Sequence, residues 1–210
     1  MITQKISAYN RSRKFKIFMD RINPKPEQKI LDVGFTDHEY SPVDNYLEKH
    51  YLYPENITAL GIEKPTEFSK RYPTVNAVQY DGNKFPFPDK SFDICWSNAV
   101  LEHVGNRERQ INFLSEINRV GKKSFITTPN RFFPFELHTK IPLLHFFPKA
   151  IFDIYLKRTR QYWFVGDKLR LLTSLELKKL LIDSGIANFT IIKNRIGINT
   201  IDFVIIFMAH

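Results

Sequence analysis

Cysteine is almost missing from this chain: Cys95 stands alone among 210 residues. A single thiol in the apolar run FDICW excludes a disulfide framework and a cysteine-rich zinc site. No run of about 18 or more apolar residues occurs, so no segment is expected to span a bilayer. The opening MITQKISAYNRSRKFK is polar and basic and lacks the apolar centre of a signal peptide. No internal repeat or low-complexity tract is present, and a cytoplasmic protein is expected. Acidic residues are also short, 22 against 31 Lys and Arg, for a net charge of +9. That excess suits an anionic partner such as nucleic acid, a phosphorylated substrate or a lipid surface, and equally a plain lysine-rich surface. The basic residues are spread out, with small clusters at Arg11–Lys16 and Lys157–Arg160, and carry no RNA-binding signature.

What is present reads as one α/β domain over residues 1–210. Phe15, Phe18, Met19 and Ile22 recur at helical spacing and predict a helix over Tyr9–Ile22, its other face (Arg11, Arg13, Lys14, Lys16) solvated. Strands are expected at Lys29–Gly34, Ile57–Ile62, Ala77–Tyr80, Phe92–Trp96, Ser124–Thr128, Phe189–Lys193 and Ile201–Met208. Helices are expected at Val43–His50, at Arg107–Val120 with Asn106 as N-cap, and after the capping box Thr173–Glu176. Ser97–Asn98 offers an N-cap for a helix directly after the fourth strand. The connection Asn194–Thr200 is too short for a parallel crossover, so the last two strands form an antiparallel hairpin. Ligands of open α/β sheets sit outside the carboxyl ends of strands, where Asp81 and Asn98 share one rim.

The densest pattern is Asp81, Phe85-Pro86-Phe87, Asp89, Ser91-Phe92-Asp93 and Leu101-Glu102-His103. It resembles the class I S-adenosylmethionine-dependent methyltransferases, with the resemblance running from roughly Ile30 to Arg131. The resemblance implies a Rossmann-like α/β methyltransferase fold: a seven-strand mixed sheet with an antiparallel last hairpin. It implies S-adenosyl-L-methionine as cofactor and S-adenosylhomocysteine as product. Asp32 and Gly34 match the acidic and first glycine positions of the first motif. Glu63 matches the acid that receives the ribose hydroxyls, and Asp81 with Gly82 the contact to the adenine amino edge. Asn98 and Ala99 border the methyl donor. The first motif departs from the pattern at Thr36 and His38, where glycines usually stand and a side chain would be strained at positive φ. Either the loop takes another path, with Thr36 or Asp37 bonding the cofactor, or cofactor binding is weakened or lost.

His103 is the first candidate general base and His138 the second; His103 can equally position the active-site floor without moving a proton. His138 and His145 lack a third ligand at suitable spacing, so no metal is expected. Residues 132–164, dense in aromatics and prolines, break the alternation and read as an inserted cap. The segment is a lid over an acceptor pocket, a core-packing insertion, or a peripheral membrane contact. The expected function is methyl transfer to O or N of a small metabolite, sugar or lipid-linked glycan. A catalytically inactive binding module and an RNA methyltransferase are the alternatives, although the cap argues against nucleic acid as partner.

Overall fold

The computed structural model describes residues 2–134, 146, 149–159 and 165–209. Seven strands form one sheet: β1 Ile30–Val33, β2 Ile57–Gly61, β3 Asn76–Gln79, β4 Phe92–Asn98, β5 Gly121–Pro129, β6 Phe189–Ile196 and β7 Asn199–Met208. Their order is β3-β2-β1-β4-β5-β7-β6. Neighbours from β3 through β5 pair in parallel, and β7 pairs antiparallel with both β5 and β6. The expected closing hairpin is therefore present. Its turn is tighter than expected, with Ile196 paired to Asn199 across two residues and a bulge at Asn194–Arg195.

Side chains alternate across the pleat, and this alternation builds two cores. Leu31, Val33 and Cys95 face α4 (Arg107–Val120) and α6 (Ser174–Asp183), packing with Leu114, Ile117, Leu177 and Leu181. Ile30, Ile94 and Trp96 face the other way, toward α1 (Ile2–Ile22), α2 (Tyr46–His50) and α3 (Thr66–Arg71). There Phe18 of α1 lies edge-on to Trp96 and Phe125, whose rings stack at 5.0 Å. Asp32 occupies the same register as Ile30, so its carboxyl belongs to the α1 and α2 face.

Two observations correct the sequence reading. Ser97 and Asn98 do not cap a helix; both remain in β4 and pair with Ile126 and Thr127. A 3₁₀ turn, Leu101–His103, follows, and α4 begins only at Arg107, where Asn106 accepts a bond from the Arg109 N–H at 3.0 Å. The basic face of α1 is not simply solvated. Lys14 is 3% exposed and reaches Asp202 of β7 at 3.2 Å, while Asn10 is buried against the same carboxylate. The capping box at Thr173–Glu176 forms as expected. α5 (Lys149–Leu156) buries Phe152 and Leu156 and exposes Ile151, Ile154 and Tyr155. Much of the expected cap over 132–164, His138 and His145 included, lies outside the described residues.

Candidate active site

The carboxyl ends of β1, β2, β3 and β4 open into a cleft of about 660 Å³. Apolar walls come from Val33, Phe35, Ile62, Val104 and Phe113, with Glu63, Asp81 and His103 supplying polar groups. A smaller cleft of about 170 Å³ lies between β1, β4 and α1, lined by Arg11, Asp32, Thr36, Asp44, Tyr46 and Asn98 among others. The two clefts share Gly34, Ala99 and Val100. Nine of the residues singled out in the sequence line one or other of these clefts: Asp32, Gly34, Thr36, Glu63, Asp81, Gly82, Asn98, Ala99 and His103. His138 is outside the described residues.

Gly34 is required at the junction. Its φ is +112°, and a Cβ there would sit 2.2 Å from Val100 Cγ2. Beyond it, the glycine-poor loop does take another path. Neither Thr36 nor His38 adopts positive φ; the left-handed residue is Asn45, at φ 48°. Asn45 receives the Thr36 N–H on Oδ1 at 3.0 Å and donates Nδ2 to the Thr36 carbonyl at 2.9 Å. Phe35 turns inward, its ring 4.5 Å from that of Phe68. Asp37 is buried and caps α3, accepting the N–H groups of Glu67 and Phe68 at 2.8 and 2.9 Å. The glycines are replaced by a side-chain scaffold.

Each predicted residue has a definite setting. Glu63 is exposed, and its Oε2 accepts the Asp37 N–H at 2.8 Å, which ties the end of β2 to the loop. Asp81 accepts from the backbone and side-chain N–H groups of Asn83, both at 2.9 Å, and these bonds hold its carboxyl below the usual range. It is thus a turn residue that also lines the cleft. Ala99 adopts φ 61°, uncommon for a residue with a Cβ, and its N–H is held by the Thr127 carbonyl at 3.0 Å. Asn98 accepts from Thr127 Oγ1 at 2.6 Å, while its carbonyl receives the Arg11 guanidinium at 3.3 Å. His103 Nδ1 lies 3.0 Å from the Lys168 carbonyl, which can only accept, so Nδ1 carries a proton; Nε2 lies 4.0 Å from Glu102 Oε1.

Asp32 is nine-tenths buried, and burial, followed by the neighbouring Glu48, pushes its carboxyl well above the usual range. Sequence reasoning missed Arg11, Asp44, Asn45, Tyr46 and Glu48. Arg11 was legible: it lies three residues before Lys14 and seven before Phe18, on the stripe that reaches the core. The other four come from the short segment after Pro42, where a helix is expected but the sequence assigns no site role.

The methyltransferase-domain family matches residues 31–124. Over that stretch the chain is similar to the methyltransferase-domain family. A sarcosine/dimethylglycine N-methyltransferase of Aphanothece halophytica is 25% identical over 107 residues, 48% of this chain and 38% of that protein. The match therefore spans little more than a third of the curated relative. Among solved structures, a SAM-dependent methyltransferase of Methanosarcina mazei superposes with TM-score 0.57 and 18% identity, covering 91% of this chain and 96% of that one. A SAM-dependent methyltransferase of Thermotoga maritima, described as a possible histamine N-methyltransferase, gives TM-score 0.59 and 15% identity over 100% and 92%. These likenesses agree with the sheet order and its antiparallel closing pair.

The cofactor that this resemblance implies, S-adenosylmethionine, matches the donor set. Its adenosine requires an apolar slot with an acceptor for the ribose diol and one for an amino edge, which the large cleft offers in Glu63 and Asp81. Its amino-acid end requires an anion and a cation side by side, offered by Asp32 and Arg11 in the small cleft. Among the described residues no cluster of His, Cys, Asp and Glu forms a metal cage, and no helix is long and apolar enough to cross a membrane.

Proposed function

We propose that this chain transfers a methyl group from S-adenosylmethionine to oxygen or nitrogen of a small metabolite, sugar or lipid-linked glycan. The supporting observation is the pair of clefts meeting at Gly34, Ala99 and Val100, one suited to an adenosine and the other to a zwitterion. When bound, the cofactor supplies a methyl carbon on a sulfonium centre, open to direct displacement. The protein's task is then alignment, which can supply much of the acceleration without a nucleophilic side chain. Glu63 and Asp81 would fix the adenosine, Asp32 and Arg11 the methionine portion, and Asn98 with Ala99 the junction where the methyl lies. His103, with its proton held on Nδ1, presents Nε2 as the base for an acceptor hydroxyl or ammonium; holding the cleft wall is the alternative role. The N-methyltransferase relative favours an amine acceptor. Residues 132–164 serve as the acceptor cap, and the exposed Ile151, Ile154 and Tyr155 beside Lys157 and Arg158 fit contact with a membrane surface that carries a lipid-linked acceptor.

Calorimetric titration with S-adenosylmethionine and S-adenosylhomocysteine tests this reading. Both ligands are expected to bind, and Glu63→Ala to weaken them about 10- to 100-fold, the loss of a charged hydrogen-bond acceptor. Absence of heat and of thermal shift with either ligand would overturn the enzyme reading and leave a methyltransferase-like binding module. RNA binding with steep salt dependence would instead favour a nucleic-acid acceptor.

A further inference from the structure

Behind the floor of the small cleft lies an acid to which the proposed chemistry assigns no task. Glu48 of α2 is 5% exposed, and neither of its oxygens receives a hydrogen bond from the described residues. The group it meets is the carboxyl of Asp32, itself 6% exposed and lining the cleft. Two carboxylates offer each other only lone pairs, so a bond between them exists only when one holds a proton. The surrounding charges do not remove this need. Arg11 of α1 is the cation acting on Asp32, and it is shared with Asp202 of β7, Asp44 and Glu102. Lys49, next to Glu48, is committed to Glu39 at 2.8 Å. Tyr72, at the end of α3, also donates to Glu39, at 2.6 Å. Arg11 therefore balances at most one of the two acids.

We propose that Asp32 and Glu48 share one proton in the ligand-free protein and release it when the ammonium of the cofactor's methionine portion settles against Asp32. Glu48 is then a positioning residue that couples cofactor uptake to proton release. This inference rests on the methyl-donor reading above. At the carboxyl pair one positive charge replaces another: a proton leaves a carboxyl oxygen for the buffer as the ammonium arrives, while the ligand's carboxylate is met by Arg11. Burial raises both carboxyls above their ordinary values, which favours the shared proton.

Calorimetry with S-adenosylhomocysteine in phosphate and in Tris at neutral pH counts the protons, because the two buffers differ in ionisation enthalpy. The wild type is expected to release close to one proton per site. Glu48→Gln is expected to bind the ligand with buffer-independent heat. 5′-Methylthioadenosine, which lacks the ammonium, is expected to bind the wild type without proton release, a comparison that stands even if the variant fails to fold. Buffer-independent heats for wild type, equal release from Glu48→Gln, or equal release with 5′-methylthioadenosine would each overturn the coupling while leaving the methyl-donor reading intact. No binding of S-adenosylhomocysteine by wild type would overturn that reading itself, and the coupling with it.

Discussion

Ala99 takes a left-handed backbone conformation, φ 61°, at the place where both clefts meet. A residue with a Cβ pays about 1 kcal/mol or more for that conformation, and the surrounding bonds hold it there: its N–H to Thr127 and the Asn98 side chain to the Thr127 hydroxyl. A β-branched side chain tolerates the left-handed region least. Ala99→Val is therefore expected to destabilise the protein by about 1–3 kcal/mol, read from the midpoint of urea unfolding. An unchanged midpoint would show that the strain is not stored at Ala99. Gly34 shows the same demand more severely, since its Val100 neighbour leaves no room for a Cβ. Conformations of this kind were only partly visible beforehand: Gly34 announces itself by residue type, whereas Ala99 does not.

At the scale of elements, α1 is the piece whose role changed most. Phe18 seats it between Trp96 and Phe125, while one turn toward the N-terminus the same stripe carries Lys14 and Asn10 onto Asp202. Asn194 donates to Asn10 Oδ1 at 2.6 Å, so the closing hairpin and α1 are joined through one buried polar network. From there Lys14 lies 3.4 Å from Thr127 Oγ1, which donates to Asn98 on the cleft. Removing one member of a buried ion pair leaves the other charge uncompensated. Lys14→Met is expected to cost about 3–5 kcal/mol in urea unfolding, and Lys14→Met/Asp202→Leu considerably less than the sum of the single changes. A double variant as unstable as that sum would rule out the coupling. Helical periodicity located α1 but not its polar seam, because a lysine at an inward position reads like a lysine on a solvated face until its partner, 188 positions later in the chain, is known.

For the whole molecule, the acids divide into two classes with opposite consequences for pH. Glu39, Glu116, Asp93 and Asp81 have carboxyls held below their ordinary values by hydrogen-bonded partners, although burial opposes this at all four and is the largest single influence at Glu39 and Glu116. Their contribution to stability is present above the ordinary carboxylate range and is lost as pH falls through it. Asp32 and Glu48, raised by burial, bind protons more tightly when folded. Their contribution is present below the ordinary values of 3.8 and 4.5 and is lost as pH rises toward the folded ones. The ligand-free protein is therefore expected to gain stability as pH rises into the ordinary carboxyl range and to lose part of it again as pH rises toward the folded values of Asp32 and Glu48. Glu48→Gln should flatten that decline, as thermal melts taken across the pH range would show. An identical pH profile for the two proteins would exclude the pair as its source.

Seven strands, the closing hairpin and the capping box were legible in the sequence because each rests on local chemistry: apolar alternation, turn residues and a short connection. The positions of Asp32, Gly34, Glu63 and Asp81 on one rim followed as well, since strand ends of a parallel sheet converge whatever lies between them. Only the tertiary structure decided how a loop without its usual glycines is held, because the support comes from Asn45, Phe35 and Asp37 acting across the chain on Thr36, Phe68 and α3. It also decided that Lys14 and Glu48 are buried. Burial of a charged group depends on what stands opposite it, and the partners of these two, Asp202 and Asp32, are brought near by the pairing of β5 with β7 and the packing of α2 on β1, which no local pattern encodes.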